Sequence, residues 1–315
     1  MKLKPLVTTC AALIALHCSG IAVAGGEGWS SDFEAAKKQA AETKKDLLID
    51  FTGSDWCGWC IKLNKEVFSQ DAFKAGVKDK FVLVELDYPQ DKSKLSAATL
   101  KQNEELAKKY PVGGYPTILL TDAEGKPFAA TGYEAGGPEA YVKHLDELHA
   151  KKAARDESFA TAAKATGVEK AKALVAALAA MGLEDGMIAN FYGDVAEQIK
   201  AADPKDETGF GKAAAMKERL AAIQSELGVF AKKSDHDGAL AVMEKALKEG
   251  GFDTEETQKM MITRSMILGK MKKFDEAIKG MDEAKAFAPD TEMAAATDRI
   301  KTRLEADKKA AETAK

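Results

Sequence analysis

Apolar positions change their period twice along this chain. Near the N-terminus they form one run over residues 6–16, preceded by Lys2 and Lys4 and followed by Ala22-Val23-Ala24. Between residues 29 and 150, short β-rich runs alternate with helical spacing. Leu47-Leu48-Ile49-Asp50-Phe51 predicts a short buried strand, and Phe81-Val82-Leu83-Val84-Glu85-Leu86 a second one, central by its apolar continuity. Residues 116–120 and 128–133 predict two more strands, joined by a turn at Glu124-Gly125. Ser31-Asp32-Phe33-Glu34 is a capping-box signal for a helix to about residue 43. Further helices are predicted from Cys57 to about residue 67, over 103–110 ahead of Pro111, and from Gly137-Pro138. The last of these places Tyr141, Leu145 and Leu148 at core spacing. Strand–helix–strand followed by a hairpin and a helix predicts an α/β domain, a mixed sheet covered on both faces.

Beyond residue 150 the strand signal ends and the chain becomes rich in Ala, Lys and Glu. Helices are predicted near 169–181, 186–201, 211–231 and 255–270. Ala239, Met243 and Ala246 recur in register as Ala277, Met281 and Ala284, and Pro289 closes the second copy. That pattern resembles the second helix of a tetratricopeptide unit, and a plain helical bundle accounts for it equally well. The expected organisation is therefore a signal peptide over 1–24, an α/β domain over 25–150 and an all-α domain over 151–315.

The N-terminal run is too short to span a bilayer and carries a small-x-small cleavage pattern, so a removable export signal is expected. His17 before Cys18 suits lipidation poorly. Cleavage after Ala24 removes Cys10 and Cys18 and leaves Cys57-Gly58-Trp59-Cys60. The formal charge of −4 becomes more acidic without Lys2 and Lys4, which argues against nucleic acid or an anionic membrane as a partner. An exported chain meets an oxidising compartment, where disulfides persist. Yet one pair at this spacing closes almost no loop and would stabilise a fold little. A structural zinc site needs about four ligands. Only His144, His149 and His236 accompany the two cysteines, so no metal is expected. His144 and His149 are read as polar residues of a helix end. No phosphate loop, serine elbow or carboxylate pair stands out.

Residues 29–150 resemble the thioredoxin superfamily, in particular its exported bacterial members. The resemblance rests on Ile49-Asp50-Phe51, Asp55-Trp56-Cys57-Gly58-Trp59-Cys60, Lys109-Tyr110-Pro111-Val112, Gly114-Tyr115-Pro116-Thr117 and Asp122-Ala123-Glu124-Gly125-Lys126, in that order. It implies a thiol–disulfide oxidoreductase whose only redox group is the Cys57–Cys60 dithiol, with no other cofactor. Cys57 would attack a substrate disulfide and Cys60 would resolve the mixed disulfide. Pro116 matches the family's cis-proline, which would turn the Tyr115 backbone toward the sulfurs to meet an extended substrate segment. Trp56, Trp59 and Tyr115 would line the cleft.

Asp50 matches the buried acid that moves a proton to or from the resolving thiol. Two features depart from ordinary thioredoxins. Asp50 lies seven residues before Cys57, one more than usual, and Leu83 stands where a partner lysine is expected. Gly58-Trp59 carries no charge between the cysteines and so leaves the direction of electron flow open. Residues 88–102 form a polar, Lys-rich insertion, expected as a surface loop or short helix. Expected partners are protein thiols and disulfides plus an electron donor or acceptor, in the periplasm or outside the cell. The helical domain would dock a partner or a second copy. The competing class is a non-catalytic scaffold that uses the same surfaces for binding, but such a scaffold has no need of both sulfurs.

Overall fold

The computed structural model describes residues 28–313. The expected signal peptide, residues 1–24, lies outside the described residues. The described chain divides into two compact units between Thr208 and Gly209.

The first unit is built on a five-stranded mixed sheet in the order β1-β3-β2-β4-β5. Its strands are β1 (Trp29–Ser30), β2 (Asp46–Thr52), β3 (Phe81–Asp87), β4 (Thr117–Thr121) and β5 (Pro127–Thr131). β3 runs parallel to β1 and β2, whereas β4 runs antiparallel to β2 and β5. No sequence pattern predicts β1, because two residues carry no periodicity. All seven residues of β2 and of β3 are buried, as strands covered on both faces must be.

Alternation sorts these residues between two layers. Leu47, Ile49 and Phe51 of β2 share one face with Val82, Val84 and Leu86 of β3. On them pack Phe33, Ala36 and Ala40 of α1 (Phe33–Thr43) and Leu106 of α4 (Ala97–Lys109), with Tyr110 just beyond it. Each large apolar side chain fully buried here stabilises the unit by roughly 1.5–3 kcal/mol. On the opposite face lie Asp46, Leu48, Asp50 and Thr52, in register with Phe81, Leu83, Glu85 and Asp87. α2 (Gly58–Leu63) leads into a π-helical turn, Asn64–Phe68, which with α3 (Asp71–Val77) and α5 (Gly137–Lys164) covers that face. Trp29, Phe68, Phe73 and Tyr141 form its aromatic centre.

Local chemistry adjusts several predicted boundaries. The N-cap of α1 is Asp32, whose carboxylate accepts from Ala35 N, so the capping box expected at Ser31 does not form. The helix expected over 103–110 starts earlier, because Ser96 caps it through Thr99 N. The insertion holds a 3-10 turn, Lys92–Lys94, and contributes the first residues of α4. At the β4–β5 turn, Gly125 has φ +83°, and Tyr110 Oη donates to its carbonyl at 2.6 Å. A Cβ there would lie 2.7 Å from that hydroxyl, so a side chain is excluded twice over.

The first unit does not end near residue 150. Helix α5 runs through that point to Lys164, and α6 (Gly167–Met181) and α7 (Asp185–Ala202) fold back after it. Leu183, Met187 and Phe191 join the core formed by Phe33 and Tyr110. Asn190 Nδ2 donates to the carbonyl of Lys109, and Tyr192 Oη to that of Pro127. These apolar contacts from α7 extend the unit past the expected boundary.

His149 and His144 also differ from the surface role expected of them. His149 Nε2 meets Asp46 Oδ2 at 2.7 Å, Lys152 Nζ donates to Asp46 Oδ1 at 2.6 Å, and His144 meets Thr131 Oγ1 at 2.8 Å. Burial works against the charge on Asp46, but the hydrogen bonds from His149 and Lys152 outweigh it and hold its carboxyl below its usual range. A depressed carboxyl stabilises the fold above the unfolded value of about 3.9, and that contribution fades as pH falls through the lower folded value. Asp46→Asn should therefore destabilise the first unit at pH 7. The gap to wild type should narrow at a pH well below about 3.9. Urea midpoints measured at both pH values check this; a gap that does not narrow in acid would refute it.

The second unit comprises α8 (Phe210–Lys233), α9 (His236–Glu249), α10 (Thr254–Lys270), α11 (Phe274–Phe287) and α12 (Glu292–Thr313), each packed on the next. Both members of the pairs Ala239/Ala277, Met243/Met281 and Ala246/Ala284 are buried. Small residues let the helices approach closely. A Cβ on Gly280 would collide with Ser265 of α10. Among the described residues, no helix is long and apolar enough to cross a membrane.

Candidate functional site

Beyond Thr52, β2 leaves the sheet through a turn in which Cys57 N donates to Gly53 O at 2.9 Å. Cys57 then becomes the N-cap of α2, with its Sγ accepting from Cys60 N at 3.1 Å. Cys57 and Cys60 form a disulfide, with S–S 2.04 Å and Cα–Cα 5.2 Å. Both cysteines are buried, at 6% and 4% exposure. The helix predicted as continuous to residue 67 is six residues of α-helix followed by the π turn.

The loop before the disulfide is tied to the start of the insertion. Ser54 donates from N and Oγ to Asp87, and Asp55 accepts from Gln90 N, Asp91 N and Lys94 Nζ. The backbone N–H groups of Asp91 and Gln90, followed by Lys94, lower the Asp55 carboxyl to about 2. Trp56 Nε1 donates to Tyr88 O at 2.8 Å, and its ring lies over Gly53, where a Cβ would strike it. The segment expected as a solvated insertion therefore walls one side of the site.

Two aromatic groups flank the disulfide-bearing loop. In one, Trp56 meets Tyr115 edge-on at 5.5 Å, and Tyr115 meets Tyr88 at 5.6 Å. In the other, Trp59 lies 5.1 Å from Tyr133, with Lys62 Nζ over both rings and Tyr133 Oη donating to Glu66. Trp56 and Trp59 remain 43% and 58% exposed, an unusual position for such large apolar rings. The Tyr115–Pro116 peptide bond is cis. Among the candidate residues, Cys57 joins Cys60 and Trp56 joins Tyr115. Trp59 instead pairs with Tyr133, which no spacing rule connects to it. Sequence reasoning misses Tyr88, Tyr133 and Lys62 for that reason.

Asp50 lies on the sheet face opposite α1 and α4, the one covered by α5. It is 4% exposed, and its Oδ1 has no hydrogen-bond partner. Burial pushes its carboxyl well above the usual range, and the nearby Glu85 and Asp87 push in the same direction. The register corrects one expectation. Leu83 pairs with Leu48, and the residue beside Asp50 is Glu85. A buried carboxylate pair therefore exists where the linear pattern shows none.

A thioredoxin-like domain model matches residues 33–149. The disulfide bond reductase DsbH of Chlamydia pneumoniae is 39% identical over 117 residues, which span 37% of this chain and 69% of that protein. The chain belongs to the thioredoxin superfamily. Its cysteine pair makes this thioredoxin-superfamily protein a thiol–disulfide oxidoreductase. The thioredoxin-related protein DsbJ of the same organism is 33% identical over 96 residues, covering 30% of this chain and 27% of its own. A solved structure titled DsbH oxidoreductase shares 34% identity over 38% of this chain and 81% of its own, with a TM-score of 0.36. The thioredoxin match stops before α6, so α6–α12 lie beyond it.

Proposed function

We propose that this protein is an exported disulfide reductase acting on protein substrates. The observation that carries the reading is the Cys57–Cys60 disulfide at a helix N-cap, set between exposed aromatic groups. Cys57 is the attacking residue. Once reduced, its thiolate keeps the hydrogen bond from Cys60 N and sits at the positive end of α2. It attacks one sulfur of a substrate disulfide, forms a mixed disulfide and releases the other substrate sulfur as a thiolate. Cys60 then attacks Cys57 Sγ, releasing the second substrate thiolate and restoring the oxidised pair. An external dithiol donor reduces that pair for the next cycle.

Trp56, Trp59 and Tyr115 supply apolar contact to the substrate, and the Tyr115–Pro116 backbone meets it as an extended edge. Asp50 serves as the proton carrier for Cys60. The N-terminal run directs export, and the helical unit docks a partner or a second copy.

The reducing direction follows from electrostatics. A strongly oxidising pair needs a stabilised thiolate in its reduced form. Here Trp59 adds no charge, and the sheet face under α5 carries the acids Asp50, Glu85 and Asp87, which disfavour further negative charge. The name of the relative DsbH, a disulfide bond reductase, supports the same direction. Equilibrating the pair in thiol–disulfide buffers should give a potential near that of thioredoxin, roughly −270 mV. A value near roughly −120 mV would overturn the reductase reading.

A further inference from the structure

Asp50 and Glu85 are adjacent in register on β2 and β3, and strands so paired lie about 4.8 Å apart. Both residues are buried, at 4% and 5% exposure, and both belong to the face covered by α5. The other groups on this face differ in kind. Asp87, two residues further along β3, receives two hydrogen bonds from Ser54. Ile118 of β4, the other neighbour of Asp50, does not titrate. Tyr141 of α5 donates its hydroxyl hydrogen to Gly132 O, and Cys60 is a buried residue of α2. Two carboxyls this close and this dry do not both ionise readily, and Asp50 has an oxygen left without a donor.

We propose that Glu85 is a positioning residue for the resolving step: its carboxyl, buried beside Asp50 on the neighbouring strand, sets how firmly Asp50 holds the proton that it takes from Cys60. The inference rests on the proposed role of Cys60 as the resolving thiol. In the mixed disulfide, Asp50 and Cys60 share one proton. The Cys60 S–H bond breaks and the proton passes to Asp50. The electron pair on Cys60 Sγ forms the bond to Cys57 Sγ, and the substrate sulfur leaves with the pair of the broken bond. A carboxylate of ordinary affinity would be too weak a base for a buried thiol. Glu85 shifts that balance toward Cys60 thiolate.

The test reads the proton and needs no turnover. Carboxyl carbons of Asp are labelled in the oxidised full-length protein, with Asp50→Asn identifying the Asp50 signal. Glu85→Gln keeps the shape and removes the charge. The proton affinity of Asp50 should then fall by about tenfold or more, one unit in its midpoint. Glu85→Asp keeps the charge and should hold the affinity within about threefold. A smaller fall in Glu85→Gln, or an equal fall in Glu85→Asp, overturns the proposal. The coupling must also be reciprocal. With Glu labelled, Asp50→Asn should shift the Glu85 midpoint, and an unmoved Glu85 overturns the proposal even if Glu85→Gln fails to fold. Should the protein prove inactive toward disulfides while these shifts appear, the reductase reading fails and the carboxyl coupling stands.

Discussion

Cys57→Ser should abolish thiol-dependent reduction of an insulin-type disulfide, lowering the rate by more than about 10³-fold, or roughly 4 kcal/mol of transition-state stabilisation. A serine hydroxyl is not ionised at neutral pH and forms no bond to a substrate sulfur that Cys60 could resolve. The hydrogen bond from Cys60 N and the N-terminal position on α2 favour a charge that serine does not carry. Cys60→Ser should behave differently. Cys57 can still attack, but nothing resolves the adduct, so a mixed disulfide with the substrate accumulates and is visible by mass. Turnover by Cys57→Ser near the wild-type rate would sink the enzymatic reading. Trapping by Cys57→Ser rather than by Cys60→Ser would reverse the roles of the two sulfurs.

The second large effect is expected far from the sulfurs. Tyr192 lies where α7 departs from helical geometry, at φ −134° and ψ 17°, and it is fully buried. Its hydroxyl donates to Pro127 O at 2.7 Å and accepts from the buried Arg155 at 3.1 Å, while Lys126 Nζ sits 4.2 Å from its ring centroid. Tyr192→Ala leaves a ring-sized cavity and an Arg155 deprived of one acceptor. It should destabilise the first unit by about 3–5 kcal/mol. Tyr192→Phe, which loses only the hydroxyl, should cost about 1 kcal/mol. The three tryptophans, Trp29, Trp56 and Trp59, all lie in the first unit, so their fluorescence in urea reports that unit alone. An unchanged midpoint in Tyr192→Ala would mean that α7 is not integral to the unit, and the boundary near residue 150 would be restored.

Much of the redox site is legible in the linear chain. A strand, an aromatic residue, Cys-x-x-Cys and a later Tyr-Pro follow one another in an order set by local signals. Short-range chemistry governs such features: capping, turn residues and alternation act over a few positions. Elements whose cause is distant are not legible there. β1 is two residues long and exists because β3 offers it an edge. Tyr133 reaches Trp59 from the end of the β5 hairpin, and Tyr88 reaches Trp56 from a segment that reads as polar surface. His149 reads as a helix-end residue because its partner, Asp46, is remote in the chain.

Residue type and local spacing suffice for an α/β segment followed by a helical one and for Cys57 and Cys60 as a redox pair, whereas the reading of Asp50 as a proton carrier comes from the resemblance to thioredoxins. The chain carries that information in one dimension. Which residue stands beside Asp50 is settled by the folded sheet alone. Strand register depends on how two segments slide against each other, and the fold places Glu85 there rather than Leu83. The folded chain likewise extends the first unit to Thr208, because the faces that α7 covers are assembled from α1, α4 and the sheet. Burial then turns the register into chemistry, since two carboxyls side by side in a dry sheet compete for charge in a way that neither would in water.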